Sequence, residues 1–153
     1  MPQTKTNRNA LTGAAGVFYV ASELSYRGLI CLPTIRNTPG ADIMVTDQAG
    51  TLLAHLQVKT AYGKANHWPL GARVASWTAK NCYYVFVRRS GGRFEAFLEK
   101  AAVVAREAAK VTEMGLSRGY KKWADCWFVS GKWTVDDPGR EERTRRQWEA
   151  FPG

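Results

Sequence analysis

Asp42, Gln57 and Lys59 are the residues of this 153-residue chain whose types and spacing best suit chemistry. A carboxylate and an amide oxygen are hard ligands of the kind that hold Mg2+ or Mn2+. A lysine beside them can position a water or stabilise negative charge growing on a phosphoryl group. Those are the parts that phosphodiester hydrolysis needs. His55, two residues before Gln57, has the side chain of a general base, though an inert place on a sheet face is the commoner role for such a residue. By spacing alone, the same pattern also fits a hairpin that hydrolyses nothing.

For the three groups to meet, the chain around them must fold back on itself. Asp42 to Thr46 reads as a strand, Asp47 to Gly50 as a turn and Thr51 to Thr60 as a second strand. In the second strand Ala54, Leu56 and Val58 alternate with His55, Gln57 and Lys59. Period two packs one face and presents Gln57 and Lys59 side by side on the other. Ahead of this hairpin, Val17, Val20, Ala21 and Leu24 recur at i, i+3, i+4 and i+7, the apolar face of a helix. Asn7 to Asn9 offer its capping side chains and Gly28 ends it. Leu29 to Pro33 is a short strand, and Arg36 to Gly40 a turn-rich connector.

After the hairpin, Tyr62 to Trp68 reads as a polar loop. Cys82 to Arg88 is β-branched and aromatic, as a strand covered on both faces should be. Arg93 to Leu98 can pair with it across the turn at Ser90 to Gly92, and Lys100 to Lys110 is an Ala-rich helix. Periodicity weakens from Val111 onward. Arg140, Arg143, Arg145 and Arg146 alternate with Glu141, Glu142 and Glu149, which predicts a solvated helix with internal i,i+4 pairs. The order of elements predicts a single α/β domain over residues 1–153, a mixed sheet flanked by helices. Loop positions nominate Arg36, Asn37, Lys64 and His67 for contact with a phosphate backbone, and Trp68 for stacking on a base. The other five Trp are expected in core and edge packing.

Composition narrows the class. Apolar residues make up 45% of the chain and six are Trp, which excludes a disordered chain. No apolar run reaches the roughly 18 residues of a membrane span, and Met1 to Leu24 lacks the pattern of a signal peptide, so a cytoplasmic protein is expected. Cys31, Cys82 and Cys126 are too far apart for a zinc pattern and read as free thiols. The 22 Lys and Arg against 13 Asp and Glu give a net charge of +9, which favours a polyanionic partner such as nucleic acid. There is no P-loop, dinucleotide-binding glycine pattern or nucleophile elbow.

The stretch GADIMV (Gly40 to Val45), followed by a turn and LQVKTA (Leu56 to Ala61), resembles the core of PD-(D/E)xK nucleases. It is most similar to the branch that contains archaeal Holliday junction resolvases and small endonuclease-like proteins, where the second motif often reads QVK. The helix Gly16 to Gly28, the run Tyr83 to Val87 and the segment from Asp136 to Trp148 also resemble that branch. The resemblance implies a restriction-endonuclease-like fold, a Mg2+ or Mn2+ cofactor, a DNA partner and a homodimer. It makes Asp42 the metal-binding carboxylate and Gln57 a ligand in place of the second acid. The Val58 carbonyl becomes a further ligand and Lys59 the catalytic lysine. One departure stands out: the opening helix of the family carries a glutamate just after a glycine, and here Gly16 is followed by Val17. Glu23, six residues on, lies about 240° round the helix from Val17 and cannot stand in for it. The alternatives are therefore a nuclease-fold protein that binds DNA without cutting, or one that uses the fold to bind a protein partner.

Overall fold

The computed structural model describes residues 4–35 and 40–153. Helix α1 (Lys5–Tyr26) opens the chain, followed by strands β1 (Ile30–Pro33), β2 (Ile43–Thr46) and β3 (Leu52–Tyr62). Then come β4 (His67–Pro69), β5 (Cys82–Ser90), β6 (Arg93–Lys100), helix α2 (Ala101–Ser117), β7 (Cys126–Phe128) and helix α3 (Arg140–Ala150). The main sheet runs β1-β2-β3-β5-β6. Its β3–β5 pair is parallel and its other pairs are antiparallel. The protein is thus α/β with a mixed five-stranded sheet flanked by helices, an architecture compatible with a restriction-endonuclease-like fold.

Alternation along the strands sorts the core into two layers. Ala54, Leu56 and Val58 of β3, with Ile43, Val45, Val85 and Val87, pack beneath Val20 and Leu24 of α1 and Trp148 of α3. Tyr84, Phe86 and Phe97 point the other way, against Val104 and Ala108 of α2 and Trp68 and Trp127 of the small β4–β7 ribbon. Phe86 and Trp127 stack at a centroid distance of 4.0 Å. The early hairpin has the expected turn: Asp47 Oδ1 accepts from the N–H groups of Ala49 and Thr51 at 2.9 and 2.8 Å, which closes β2 onto β3.

Gly16 explains how α1 comes so close to β3. A Cβ at that position would lie 1.8 Å from Thr60 Oγ1 and 2.9 Å from Thr60 Cβ. Only a residue without a side chain lets the helix seat at this depth.

Local readings needed correction at three places. The cap of α1 is Thr4, whose side chain accepts from the Asn7 N–H at 3.3 Å, so the helix starts a turn before the Asn7 to Asn9 cluster. Helix α2 continues past Lys110 to Ser117, because Val104, Ala108 and Val111 extend one buried face. The segment Tyr62 to Trp68 is not all loop: Tyr62 ends β3, and His67 and Trp68 form β4 against β7. That pairing is long-range and leaves no local pattern.

Helix α3 docks through charge. Arg140, 5% exposed, bonds the Phe128 carbonyl at 3.0 Å and pairs with Glu107 of α2 at 3.4 Å and Asp137 at 3.0 Å. Arg143 reaches Glu99 of β6 at 2.5 Å, and Arg145 reaches Glu95 at 3.3 Å. The expected i,i+4 pairs also form, Arg145 with Glu141 and Arg146 with Glu142. The helix is therefore not merely solvated. Its inner arginines tie it to β6 and α2. The three cysteines carry free thiols, and among the described residues no helix is long and apolar enough to cross a membrane.

Candidate functional site

The hairpin brings Asp42 alongside the Gln57–Lys59 segment through backbone register. Ile43 pairs with Leu56, and the Asp42 N–H donates to the Leu56 carbonyl at 2.8 Å. One step further along, the ladder changes partner: the Val58 N–H donates to the Asp42 carboxylate, at Oδ2, at 2.7 Å. Along β3 the alternate residues face opposite neighbours, as the His55 N–H bonded to Asn81 O on the β5 side shows. Because N–H and C=O of one strand residue point to the same edge, the Val58 carbonyl is turned toward the edge where Asp42 lies. A carboxylate and a main-chain carbonyl thus share one rim of the sheet, at the point where β2 begins.

Burial pushes the Asp42 carboxyl above its ordinary value, while the Val58 N–H and the Lys59 ammonium draw it down. Lys59 follows Val58 on β3, close enough to act on the acid though not paired with it. Gln57 and Lys59 open into a polar groove of about 90 Å³ that is also lined by Gly40, Leu70, Arg73, Trp77 and Tyr84. Gly40 has φ +103°, and a Cβ there would sit 2.9 Å from Trp77 Nε1, so this indole lies directly over the backbone before Asp42. Arg73 belongs to a 3₁₀ turn, Ala72–Ala75, between β4 and β5. Arg73 and Trp77 carry no local signal, since neither sits in a periodic segment.

On its other side Asp42 lines a larger, mainly apolar cavity of about 570 Å³ with Leu11, Ala14, Val17 and Phe18 of α1 and Pro33, Thr34 and Ile35. Val17 and Asp42 therefore line a common space, and Val17 also packs against the apolar core, as its place on the helix face predicts. Among the described residues no three of His, Cys, Asp and Glu gather as metal ligands do. The donors at this rim are the Asp42 carboxylate and the Val58 carbonyl, with Gln57 next to Val58 on β3 and its side chain lining the neighbouring groove. They fit Mg2+ or Mn2+ in kind, since Mg2+ keeps several waters and takes one or two carboxylates together with substrate phosphates. They do not fit a cation held by protein alone.

The other nominated residues fall elsewhere. His55 shares the face of Gln57 and pairs with Met44, inside the hairpin, and lines neither cavity. Lys64 is exposed just beyond the far end of β3. His67 is packed between Phe128 and Trp123, at centroid distances of 5.1 and 5.0 Å, and burial lowers its pKa. Trp68 is 1% exposed, its ring set against Phe86, Phe97 and Trp127 and its Nε1–H bonded to the Val87 carbonyl at 3.1 Å. A buried ring has no free face for a base, so Trp68 is a core residue. Arg36 and Asn37 lie outside the described residues. Comparison with family models, curated proteins and solved structures finds no match to this chain.

Proposed function

We propose that this chain is a metal-dependent DNA endonuclease of the PD-(D/E)xK type. The observation that carries the reading is the Asp42 carboxylate, fixed by the Val58 N–H at 2.7 Å against the strand that carries Gln57 and Lys59. Asp42, the Val58 carbonyl and Gln57 would hold Mg2+ or Mn2+, which when bound supplies a polarised phosphoryl oxygen and an activated water. The Lys59 ammonium faces charge that builds on the phosphoryl oxygens, where a fixed cation in a partly dry site is most effective. The excess of 22 basic over 13 acidic residues supports a polyanionic substrate.

A second reading has its own support. Val17, an apolar residue, lines the same cavity as Asp42 and brings no acid to it, which favours a protein that binds DNA and does not cut it. Cleavage assays on branched, duplex and single-stranded DNA with Mg2+ or Mn2+, beside Asp42→Asn and Lys59→Ala, separate the two. Cutting that depends on metal and is lost in both variants supports the nuclease. Salt-sensitive DNA binding with no cutting in either metal selects the second reading, and Val17→Glu then tests whether one added acid restores cleavage. Absence of DNA binding overturns both.

A further inference from the structure

The groove beside Gln57 and Lys59 has a chemistry of its own. Its lining holds two cations, Lys59 and Arg73, the Gln57 amide, the Trp77 indole N–H and the Tyr84 hydroxyl, and no carboxylate. Neither Lys59 nor Arg73 forms an ion pair with a carboxylate among the described residues. That sets them apart from the inner arginines of α3, each of which is matched by Glu or Asp. The 90 Å³ volume is enough for one small oxyanion. Its walls are rigid: Trp77 meets Tyr84 edge-on at 5.2 Å, Tyr84 stacks on Phe86 at 5.6 Å, and Gly40 is left without a side chain beneath the indole. Arg73 and Tyr84 line the groove together, and Arg73 is exposed to solvent at its edge.

We infer that this groove is a phosphate-binding subsite in which Arg73 supplies a second cation next to Lys59 and the Trp77 N–H and Gln57 amide complete the donors. Resting on the nuclease reading, it assigns the ligand as a phosphodiester of the DNA backbone, held one step from the Asp42 rim. Two cations and neutral donors converging on a small polar hollow match the tetrahedral charge of phosphate. Arg73 positions the backbone. Asp42 is not among the residues that line the groove, so a bound anion meets no carboxylate there, while Gln57 and Lys59 serve both the subsite and the proposed metal chemistry.

The test is DNA binding over a range of salt concentrations with wild type, Arg73→Gln, Trp77→Phe and Arg106→Gln. Arg106 is exposed on α2, away from the groove, and serves as the equal-charge comparison. Arg73→Gln should weaken binding about tenfold, the size of one hydrogen bond to a charged group, and flatten the slope of log K against log salt by about 0.9. Trp77→Phe should weaken binding with the slope unchanged, since it removes a neutral donor. Wild-type slope and affinity in Arg73→Gln, or an equal loss in Arg106→Gln, overturns the subsite while leaving metal-dependent cutting, and so the nuclease reading, in place. Wild-type protein that neither binds nor cuts DNA overturns both. Inorganic phosphate that titrates to wild type and not to Arg73→Gln, with DNA binding the same in the two, assigns the groove to a free phosphoanion and overturns the backbone subsite.

Discussion

At the scale of the residue, Asp42 is held in a state that folding alone does not favour. Its carboxyl is raised by burial against the opposing pull of the Val58 N–H and Lys59. For an acid whose folded pKa lies above its unfolded one, the ionised form costs stability above the folded pKa, and that cost disappears as pH falls through it. Asp42→Asn keeps an oxygen for the Val58 N–H and removes the buried charge. Its melting temperature at neutral pH is therefore expected to be no lower than that of wild type, even though its cleavage is lost. Carboxyl NMR of the metal-free protein should place Asp42 above 3.8, and Lys59→Gln should move it higher still because a neighbouring cation is gone. A lower value in Lys59→Gln would mean that the ammonium does not act on this carboxylate. Charge kept at such a cost is the usual mark of a functional position.

At the scale of the element, the seating of α1 on β3 decides what faces Asp42. Gly16 lets the helix approach until Thr60 fills the place of a side chain, and Val17 then falls at the wall of the Asp42 cavity. Gly16→Ala gains about 1 kcal/mol of helix propensity and meets an overpacking cost of about 1–3 kcal/mol. Urea unfolding should show net destabilisation, and adding Thr60→Ala should recover part of it, because that change removes the hydroxyl the new Cβ would strike and leaves the Thr60 Cβ contact. Strict additivity of the two substitutions would show that helix and strand do not touch there. The period-3.6 face of α1 was legible in the sequence, as were β2, the Asp47 turn and the alternation of β3, because each rests on contacts within a few residues. The β4–β7 pairing was not. Its partners are some sixty residues apart, His67 with Phe128 and Trp68 with Trp127, and a three-residue strand has no period to read.

At the scale of the whole molecule, the +9 charge is not spread evenly in effect. Arg140, Arg143, Arg145 and Arg146 are engaged by Glu95, Glu99, Glu107, Asp137, Glu141 and Glu142, which makes α3 an anchor. Paired charges release few counterions on binding a phosphate backbone. Lys110→Gln with Arg146→Gln, two exposed cations already paired with Asp136 and Glu142, should leave DNA affinity within about twofold and the salt slope unchanged. A loss like that of Arg73→Gln would place the surface of α2 and α3 in the DNA interface. By itself the sequence determined the α/β class, the hairpin, and the register that sets Asp42 beside Gln57 and Lys59, since all follow from apolar period and turn chemistry between near neighbours. Only the tertiary structure decided that Trp68 is core, that Arg73 and Trp77 join Lys59 in one groove, and that Val17 and Asp42 line a common space. Those outcomes depend on which distant surfaces pack together, and packing over long sequence separation leaves no local pattern.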